Sequence, residues 1–155
     1  MKKAIFPGSF DPITLGHKNI IEKALLLFDK VVIGIGENES KNNLLTIKSR
    51  TLLLKKCFKN NPKIEILTYQ GLTIDYCAQE NIKFIIRGVR DCIDFEYEKK
   101  LSFMNEDLNK GITTVLIPCS KEFSGISSTL IKSLIKNNGN YSKFIPLEIQ
   151  NELLS

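Results

Sequence analysis

Near its start the chain reads Lys2-Lys3-Ala4-Ile5-Phe6-Pro7-Gly8-Ser9-Phe10-Asp11-Pro12-Ile13-Thr14-Leu15-Gly16-His17. The apolar run at residues 2–6 predicts a buried strand. After a loop rich in turn residues, apolar side chains recur at helical spacing, at Ile20, Ile21, Ala24, Leu25 and Phe28. A strand, a loop and a helix in this order predict the first unit of a parallel sheet, with the loop at the edge where ligands bind.

Four further strand and helix pairs follow this unit. Short apolar and β-branched runs predict the strands, at Val31–Gly36, Lys63–Thr68, Lys83–Arg87 and Thr113–Pro118. Helical spacing and stop signals predict helices at about Thr46–Asn60, Leu72–Asn81 and Asp91–Lys110, around Leu130–Ile135, and from Pro146 onward. We therefore predict an α/β protein with a single doubly wound five-stranded parallel sheet of Rossmann-like type, in one domain spanning residues 1–155.

The composition is that of an ordinary globular domain, with 43% hydrophobic and 25% charged residues in a chain of 155. No apolar run reaches the roughly 18 residues that span a membrane, and the run at the start is too short for a signal peptide. The four cysteines, Cys57, Cys77, Cys92 and Cys119, form no C-x-x-C pair. We therefore expect free thiols in a reducing cytoplasm.

The charge balance favours anionic partners, because the net charge is +5. The lysines are spread along the chain without a basic block, which argues against a dedicated nucleic-acid arm. Only three of the 22 basic residues are arginines, and two of them, Arg87 and Arg90, lie at the end of the fourth predicted strand and just beyond it. An arginine fork suits a phosphate; a salt bridge to Asp91 or Asp94 is the alternative.

The first loop is a candidate phosphate site. It combines Gly8 and Gly16 with the hydroxyls of Ser9 and Thr14, and it leads to His17, the only histidine. Helix-start N–H groups and the His17 ring could bind a phosphate and stabilise charge in a transition state. A plain turn with His17 on the helix surface is the alternative, and the loop matches neither common Gly-rich phosphate motif.

A second candidate site is the stretch Phe123-Ser124-Gly125-Ile126-Ser127-Ser128-Thr129, which opens the fifth predicted helix. Hydroxyls and a glycine at a helix start favour anion binding, and simple capping by Ser127 or Ser128 is the alternative. Asp94 and Glu98 lie four residues apart, so they share one helix face. Paired carboxylates could act in acid–base chemistry, but a helix face exposed to solvent is the simpler interpretation.

These motifs, in this order and spacing, resemble the nucleotidyltransferase superfamily, which carries T-x-G-H or H-x-G-H early and an I-S-S-T-type motif late. The matching residues are Thr14–His17 and Ile126–Thr129. Within the superfamily the chain is most similar to the phosphopantetheine adenylyltransferase family, also through residues 71–76, 86–90 and 94–98. The match spans nearly the whole chain, but Ser9 replaces a common threonine and Lys132 a common arginine.

This resemblance implies transfer of adenylyl from ATP to 4′-phosphopantetheine, giving dephospho-coenzyme A and pyrophosphate, with Mg²⁺ accompanying ATP. The acceptor phosphate would attack the α-phosphorus in line, so that no protein nucleophile is needed. The resemblance also implies a homohexamer and feedback inhibition by coenzyme A, and we expect no nucleic-acid or membrane partner. The alternatives are a nucleotidyltransferase with another phosphorylated acceptor, or a non-catalytic nucleotide- or nucleic-acid-binding domain.

The resemblance further assigns roles to residues, with His17 as the catalytic residue at the α-phosphate and no residue assigned to a metal. The expected acceptor contacts are Ser9, Lys41, Thr73 and Arg87. The expected nucleotide contacts are Ser9, Phe10, His17, Gly88, Val89, Arg90, Glu98, Phe123, Ser124, Gly125, Ile126, Ser127, Ser128 and Thr129.

Overall fold

The computed structural model describes residues 1–37 and 43–153, in which strands alternate with helices. The strands are β1 (Lys3–Gly8), β2 (Lys30–Gly36), β3 (Ile64–Tyr69), β4 (Phe84–Val89) and β5 (Thr113–Pro118). The helices are α1 (Leu15–Leu27), α2 (Ile47–Cys57), α3 (Thr73–Gln79), α4 (Cys92–Leu108) and α5 (Ser128–Lys136). Short 3₁₀ turns lie at Lys121–Phe123, Ser142–Phe144 and Leu147–Ile149.

The five strands form one parallel sheet in the order β3-β2-β1-β4-β5. The chain builds outward from β1 to β3, crosses back over β1, and then adds β4 and β5 on the other side. This order confirms the predicted doubly wound sheet. It places the reversal of strand order, where ligands bind in such sheets, between β1 and β4.

The two central strands separate towards their carboxyl ends. β1 pairs with β4 only at Ala4 and Ile5, whereas it stays paired with β2 as far as Gly8. A crevice therefore opens between β1 and β4 beyond Ile5. The predicted first strand ended too early, at Phe6, because Pro7 and Gly8 are typical of loops; both remain in register with β2.

Both faces of the sheet are covered, as the near-continuous apolar strands predict. Along β1, Ala4 and Phe6 join a large core with buried residues of α1, α2 and α5, whereas Ile5 joins a smaller core with Ile74 and Cys77 of α3. The sheet is thus held between two layers, and its carboxyl edge is left for the loops. No helix in the described part of the chain is long and apolar enough to cross a membrane.

Two helix predictions need correction. As far as residue 153, the last helix, predicted from Pro146, is only a single 3₁₀ turn at Leu147–Ile149, whose Ile149 is buried in the core. The apolar stripe that predicted the fourth helix does not face the core, because Ile93 is 82% exposed and Tyr97, Met104 and Leu108 are also exposed. The helix was therefore predicted correctly, but its apolar stripe is exposed on the surface of the domain.

Candidate active site

A pocket of about 720 Å³ lies at the carboxyl edge of the sheet, where β1 and β4 separate. The first loop, the ends of β3 and β4, one face of α4 and the start of α5 line it. Most of the site residues predicted from the sequence meet there: Ser9, Phe10, His17, Thr73, Arg87, Gly88, Arg90, Glu98, Ile126, Ser127, Ser128 and Thr129. Segments that are far apart in the chain therefore form one site.

Five predicted site residues are not among the lining residues. Val89 is buried at the end of β4, and Phe123 packs against the core. Ser124 and Gly125 are exposed on the loop before α5. Lys41 lies outside the described residues. The ligand contacts expected of these five residues stay predictions.

The His17 ring is oriented by Thr14, the residue that caps α1. His17 Nδ1 accepts the backbone N–H of Thr14 at 3.1 Å, and the Thr14 hydroxyl accepts the backbone N–H of His17 at 3.2 Å. This is a reciprocal capping box in which histidine replaces the usual glutamate or glutamine. Because Nδ1 accepts a hydrogen bond, the ring proton is assigned to Nε2, which is left as a donor for the pocket.

The electrostatic surroundings keep His17 neutral. Burial, with smaller contributions from the charges of Arg90 and Arg87, lowers the pKa of His17 from 6.5 to about 4. Near pH 7 the side chain is therefore a neutral Nε2–H donor. Such a donor can stabilise developing negative charge on a phosphate without exchanging a proton with it.

The loop before His17 takes an uncommon shape at Phe10, where φ is +46°. Bulky side chains rarely adopt this region. The Phe10 ring is buried and meets the His17 ring edge-on, with 5.1 Å between centroids. A Cβ added to Gly8 would lie 3.0 Å from the Phe10 ring. Gly8 and Phe10 together therefore support the position of His17.

The two clustered arginines are both bonded to carboxylates of α4. Arg87 donates from Nε and Nη2 to Glu98 at 2.7 and 2.6 Å, and from Nη1 to the Pro7 carbonyl oxygen at 3.2 Å. Arg90 donates to Asp94 at 2.6 and 3.1 Å, and this pairing lowers the pKa of Asp94. The solvated-face interpretation of Asp94 and Glu98 is therefore wrong, since both line the pocket.

Two hydroxyls at the start of α5, those of Ser127 and Ser128, already have structural partners. Ser127 caps the helix by accepting the backbone N–H of Leu130. The Ser128 hydroxyl donates to the Pro12 carbonyl oxygen at 2.8 Å, which joins α5 to the first loop. Ser128 and Thr129, the first two helical residues, line the pocket, and their backbone amides have no partner within the helix. An anion could bind these amides.

A buried carboxylate that the sequence analysis did not single out joins three segments. Asp11 is fully buried and accepts the backbone N–H groups of Leu44 and Leu45, each at 2.8 Å. Lys132 of α5 reaches the same carboxylate at 3.3 Å. Asp11 therefore ties the first loop to the segment before α2 and to α5. This contact gives Lys132 a structural role that its sequence position did not reveal.

Comparison with known proteins identifies the class first. The family model described as cytidylyltransferase-like matches residues 5–134. A crystal structure of a protein described as a candidate nicotinate-nucleotide adenylyltransferase, from Vibrio parahaemolyticus, superposes with a TM-score of 0.70 at 22% identity and full coverage of both chains, which establishes a shared fold. The chain is a nucleotidyltransferase of the cytidylyltransferase-like class.

Closer relatives identify the particular family. The chain is 43% identical to the phosphopantetheine adenylyltransferase of Bacteroides thetaiotaomicron over 146 residues, covering 94% of this chain and 96% of the relative. It is 38% identical to that of Nautilia profundicola over 151 residues, covering 97% and 98%. The chain belongs to the phosphopantetheine adenylyltransferase family.

Proposed function

We propose that this pocket transfers the adenylyl group of ATP to 4′-phosphopantetheine, which yields dephospho-coenzyme A and pyrophosphate. The observation that carries the proposal is the convergence of His17, Arg87, Arg90 and the first amides of α5 on one pocket at the strand switch. All are donors suited to phosphate oxygens. The relatives matched along nearly their whole length favour this acceptor over another phosphorylated metabolite.

The reaction needs positioned charge rather than a protein nucleophile. An oxygen of the acceptor phosphate attacks the α-phosphorus of ATP, a new P–O bond forms, and the bond to the β-phosphate oxygen breaks as pyrophosphate leaves. His17 donates its Nε2–H to an oxygen of the α-phosphate as charge builds there. The low pKa of His17 supports this role, because the proton stays on Nε2 throughout.

The remaining residues divide between the two substrates. The residues that bind the acceptor are Ser9, Lys41, Thr73 and Arg87, with Arg87 at its phosphate. The residues that bind ATP are Ser9 as well as Phe10, Gly88, Val89, Arg90, Glu98 and residues 123–129. Arg90 lines the same pocket as the start of α5, as their shared assignment to the nucleotide requires.

Magnesium would be held by the phosphates of ATP, since proteins commonly bind this ion through substrate phosphates. Among the residues that the structure describes, the carboxylates that line the pocket are Glu37, Asp94 and Glu98, and the last two are bonded to arginines. When bound, Mg²⁺ supplies positive charge to the leaving pyrophosphate.

Assembly, regulation and location follow the family resemblance. We assign the chain to a cytoplasmic homohexamer, and the exposed apolar side chains of α4 supply a surface suited to contacts between copies. Light scattering after size-exclusion chromatography would measure the mass of the assembly. Coenzyme A contains the acceptor moiety, so it would inhibit by competing with 4′-phosphopantetheine for the pocket.

The deciding experiment measures pyrophosphate release from MgATP with three acceptors: 4′-phosphopantetheine, pantetheine and nicotinate mononucleotide. Release with the phosphorylated pantetheine alone is expected, because the attacking oxygen belongs to its phosphate. Release with nicotinate mononucleotide alone would mean that the fold is shared but the acceptor is different. Release with none of the three, from a protein that binds ATP, would also contradict the proposed acceptor.

A further inference from the structure

Arg50 is a pocket residue that the sequence analysis left without a role. It lies near the start of α2, and of the three arginines it alone is buried, with 2% of its surface exposed. It lines the pocket with Ser9, Tyr69 and Thr73. A burial this deep is uncommon for arginine unless the charge has a partner.

The guanidinium of Arg50 has fewer partners than its donors require. Nη1 donates to the Ser9 carbonyl oxygen at 2.8 Å. Nε is buried and has no hydrogen-bond partner. Within residues 1–37 and 43–153, no carboxylate forms a salt bridge with Arg50, whereas Arg87 and Arg90 each hold one. Arg50 therefore combines a buried charge with unused donors.

This arrangement is unfavourable without a ligand. A buried cation costs free energy when no anion compensates it. The start of α2 adds to the cost, because the positive end of the helix dipole lies there and the first turn contains no acidic residue. A negative charge that arrives with a ligand would relieve both effects.

The location of Arg50 indicates which substrate brings that charge. α2 follows β2, which lies on the opposite side of β1 from β4 and Arg90. Its direct partner is Ser9, and its pocket neighbours Tyr69 and Thr73 share a hydrogen bond of 2.6 Å at the end of β3. Ser9 and Thr73 are among the residues assigned above to the acceptor. We propose that Arg50 is an additional binding residue for the phosphoryl group of the acceptor, an inference that rests on the proposed function.

In this role Arg50 acts in two ways. Its bond to the Ser9 carbonyl holds the first loop in place, and its charge attracts the dianionic phosphoryl group next to Ser9. The effect of the charge should depend on the phosphate of the acceptor and on nothing else in that molecule. The phosphate dependence separates a binding role from a purely structural one.

The test compares calorimetric binding of 4′-phosphopantetheine, pantetheine and ATP to wild type, Arg50→Gln and Lys48→Gln. Lys48 is an exposed residue of the same helix, so its substitution removes the same charge outside the pocket. We expect Arg50→Gln to weaken 4′-phosphopantetheine about tenfold or more, as for loss of a charge-assisted contact. Binding of pantetheine and ATP should change less than about twofold by the same reasoning, and Lys48→Gln should match wild type.

Each contrary result has a separate meaning. Equal losses for 4′-phosphopantetheine and pantetheine would show a structural role only, and a loss confined to ATP would move Arg50 to the nucleotide. An unchanged preference for the phosphorylated ligand would overturn the role of Arg50 but leave the proposed function intact. A wild type that does not prefer the phosphorylated ligand would overturn the proposed function and this inference together.

A second measurement uses the wild-type protein and does not depend on how a variant folds. With only three arginines, the Nε–H signals of the chain are few enough to assign in an NMR spectrum. Because the Arg50 Nε–H is buried and unpaired, its signal should shift when 4′-phosphopantetheine is added and stay in place with pantetheine. A signal that does not move with either ligand, while that of Arg87 does, would overturn the proposal.

Discussion

Arg87 and Glu98, which the family resemblance assigns to different substrates, are bonded to each other through both oxygens of the carboxylate. Glu98 is 7% exposed, so its carboxylate is largely shielded from water. The two bonds to Glu98 and the bond to the Pro7 carbonyl oxygen use three of the five N–H donors of Arg87. The remaining two donors have a fixed direction, and Arg87 is thereby prepared for a phosphate before any substrate arrives.

Replacing Arg87 by lysine should weaken the acceptor more than ATP. Lysine keeps the charge but cannot bond Glu98 and a phosphate with one rigid fork. We expect the KM for 4′-phosphopantetheine to rise about tenfold, with a smaller change for ATP. Arg90→Lys is the matched control, and its effect should fall mainly on the KM for ATP. The opposite pattern in steady-state kinetics would exchange the two assignments.

The titration of His17 can be followed without ambiguity, because the chain contains no other histidine. Burial and the two nearby arginines should keep its pKa at about 4, with the proton on Nε2 above that pH. Nitrogen chemical shifts of the imidazole, recorded from pH 3.5 to 8, would report both properties. A midpoint near 6.5, or a proton on Nδ1, would contradict the geometry described for the capping box.

The lowered pKa of His17 also predicts how the free energy of unfolding depends on pH. The unfolded chain takes up a proton on His17 near pH 6.5 and the folded chain only near pH 4. Between these values the unfolded state binds more protons, so the contribution of His17 to the free energy of unfolding falls as the pH is lowered. Urea unfolding at pH 7 and pH 5 should show a smaller pH-dependent loss in His17→Ala than in wild type. Equal losses would place the His17 pKa near its ordinary value.

His17→Ala should lower kcat about 100-fold, the scale for loss of one donor to a charged transition state. The variant should still fold, with a stability loss of about 1 kcal/mol because the capping box is broken. Thr14→Ser is the control, since it keeps the hydroxyl and the backbone bonds, and it should remain close to wild type. A His17→Ala variant with nearly normal kcat would remove His17 from the chemistry.

Asp11→Asn should reduce stability, because an amide would replace a carboxylate that accepts two backbone N–H groups and faces Lys132. We expect a loss of about 2 kcal/mol in the free energy of unfolding, typical of hydrogen bonds to a buried charged group. Lys132→Met should cost less, since the two backbone bonds to Asp11 remain. If the lysine variant proved the less stable of the two in urea unfolding, the anchor would be the ion pair instead.

Much of the fold was predictable because its signals are local. Apolar runs marked all five strands, and the loop from Pro7 to His17 marked the ligand edge of the sheet. The exposed stripe of α4 was not predictable as exposed, because helical spacing reports that apolar residues share a face and not what covers that face. The helix predicted from Pro146 was wrong for a similar reason. Pro146 suits a helix start, but the tertiary packing of Ile149 decides the local structure.

The site residues that belong to sequence motifs were predictable. Those whose partners are close in space but distant along the chain were not. His17, Arg87 and the start of α5 were found by their position after strands or before a helix. Arg50 and Asp11 were missed because their partners, Ser9 and Leu44, are distant along the chain. The scarcity of arginine was a signal that could have drawn attention to Arg50, but its place on a helix hid its proximity to the pocket.

The hydrogen bond from Ser128 to Pro12 joins residues 116 positions apart, and the contact of Lys132 with Asp11 spans 121. During synthesis the first loop leaves the ribosome long before α5 exists. A nascent chain that has reached β5 already contains the central strands and the residues assigned to the acceptor, but it lacks the helix that fastens the first loop. The order of translation therefore delays completion of the pocket until the last fifth of the polypeptide has been made.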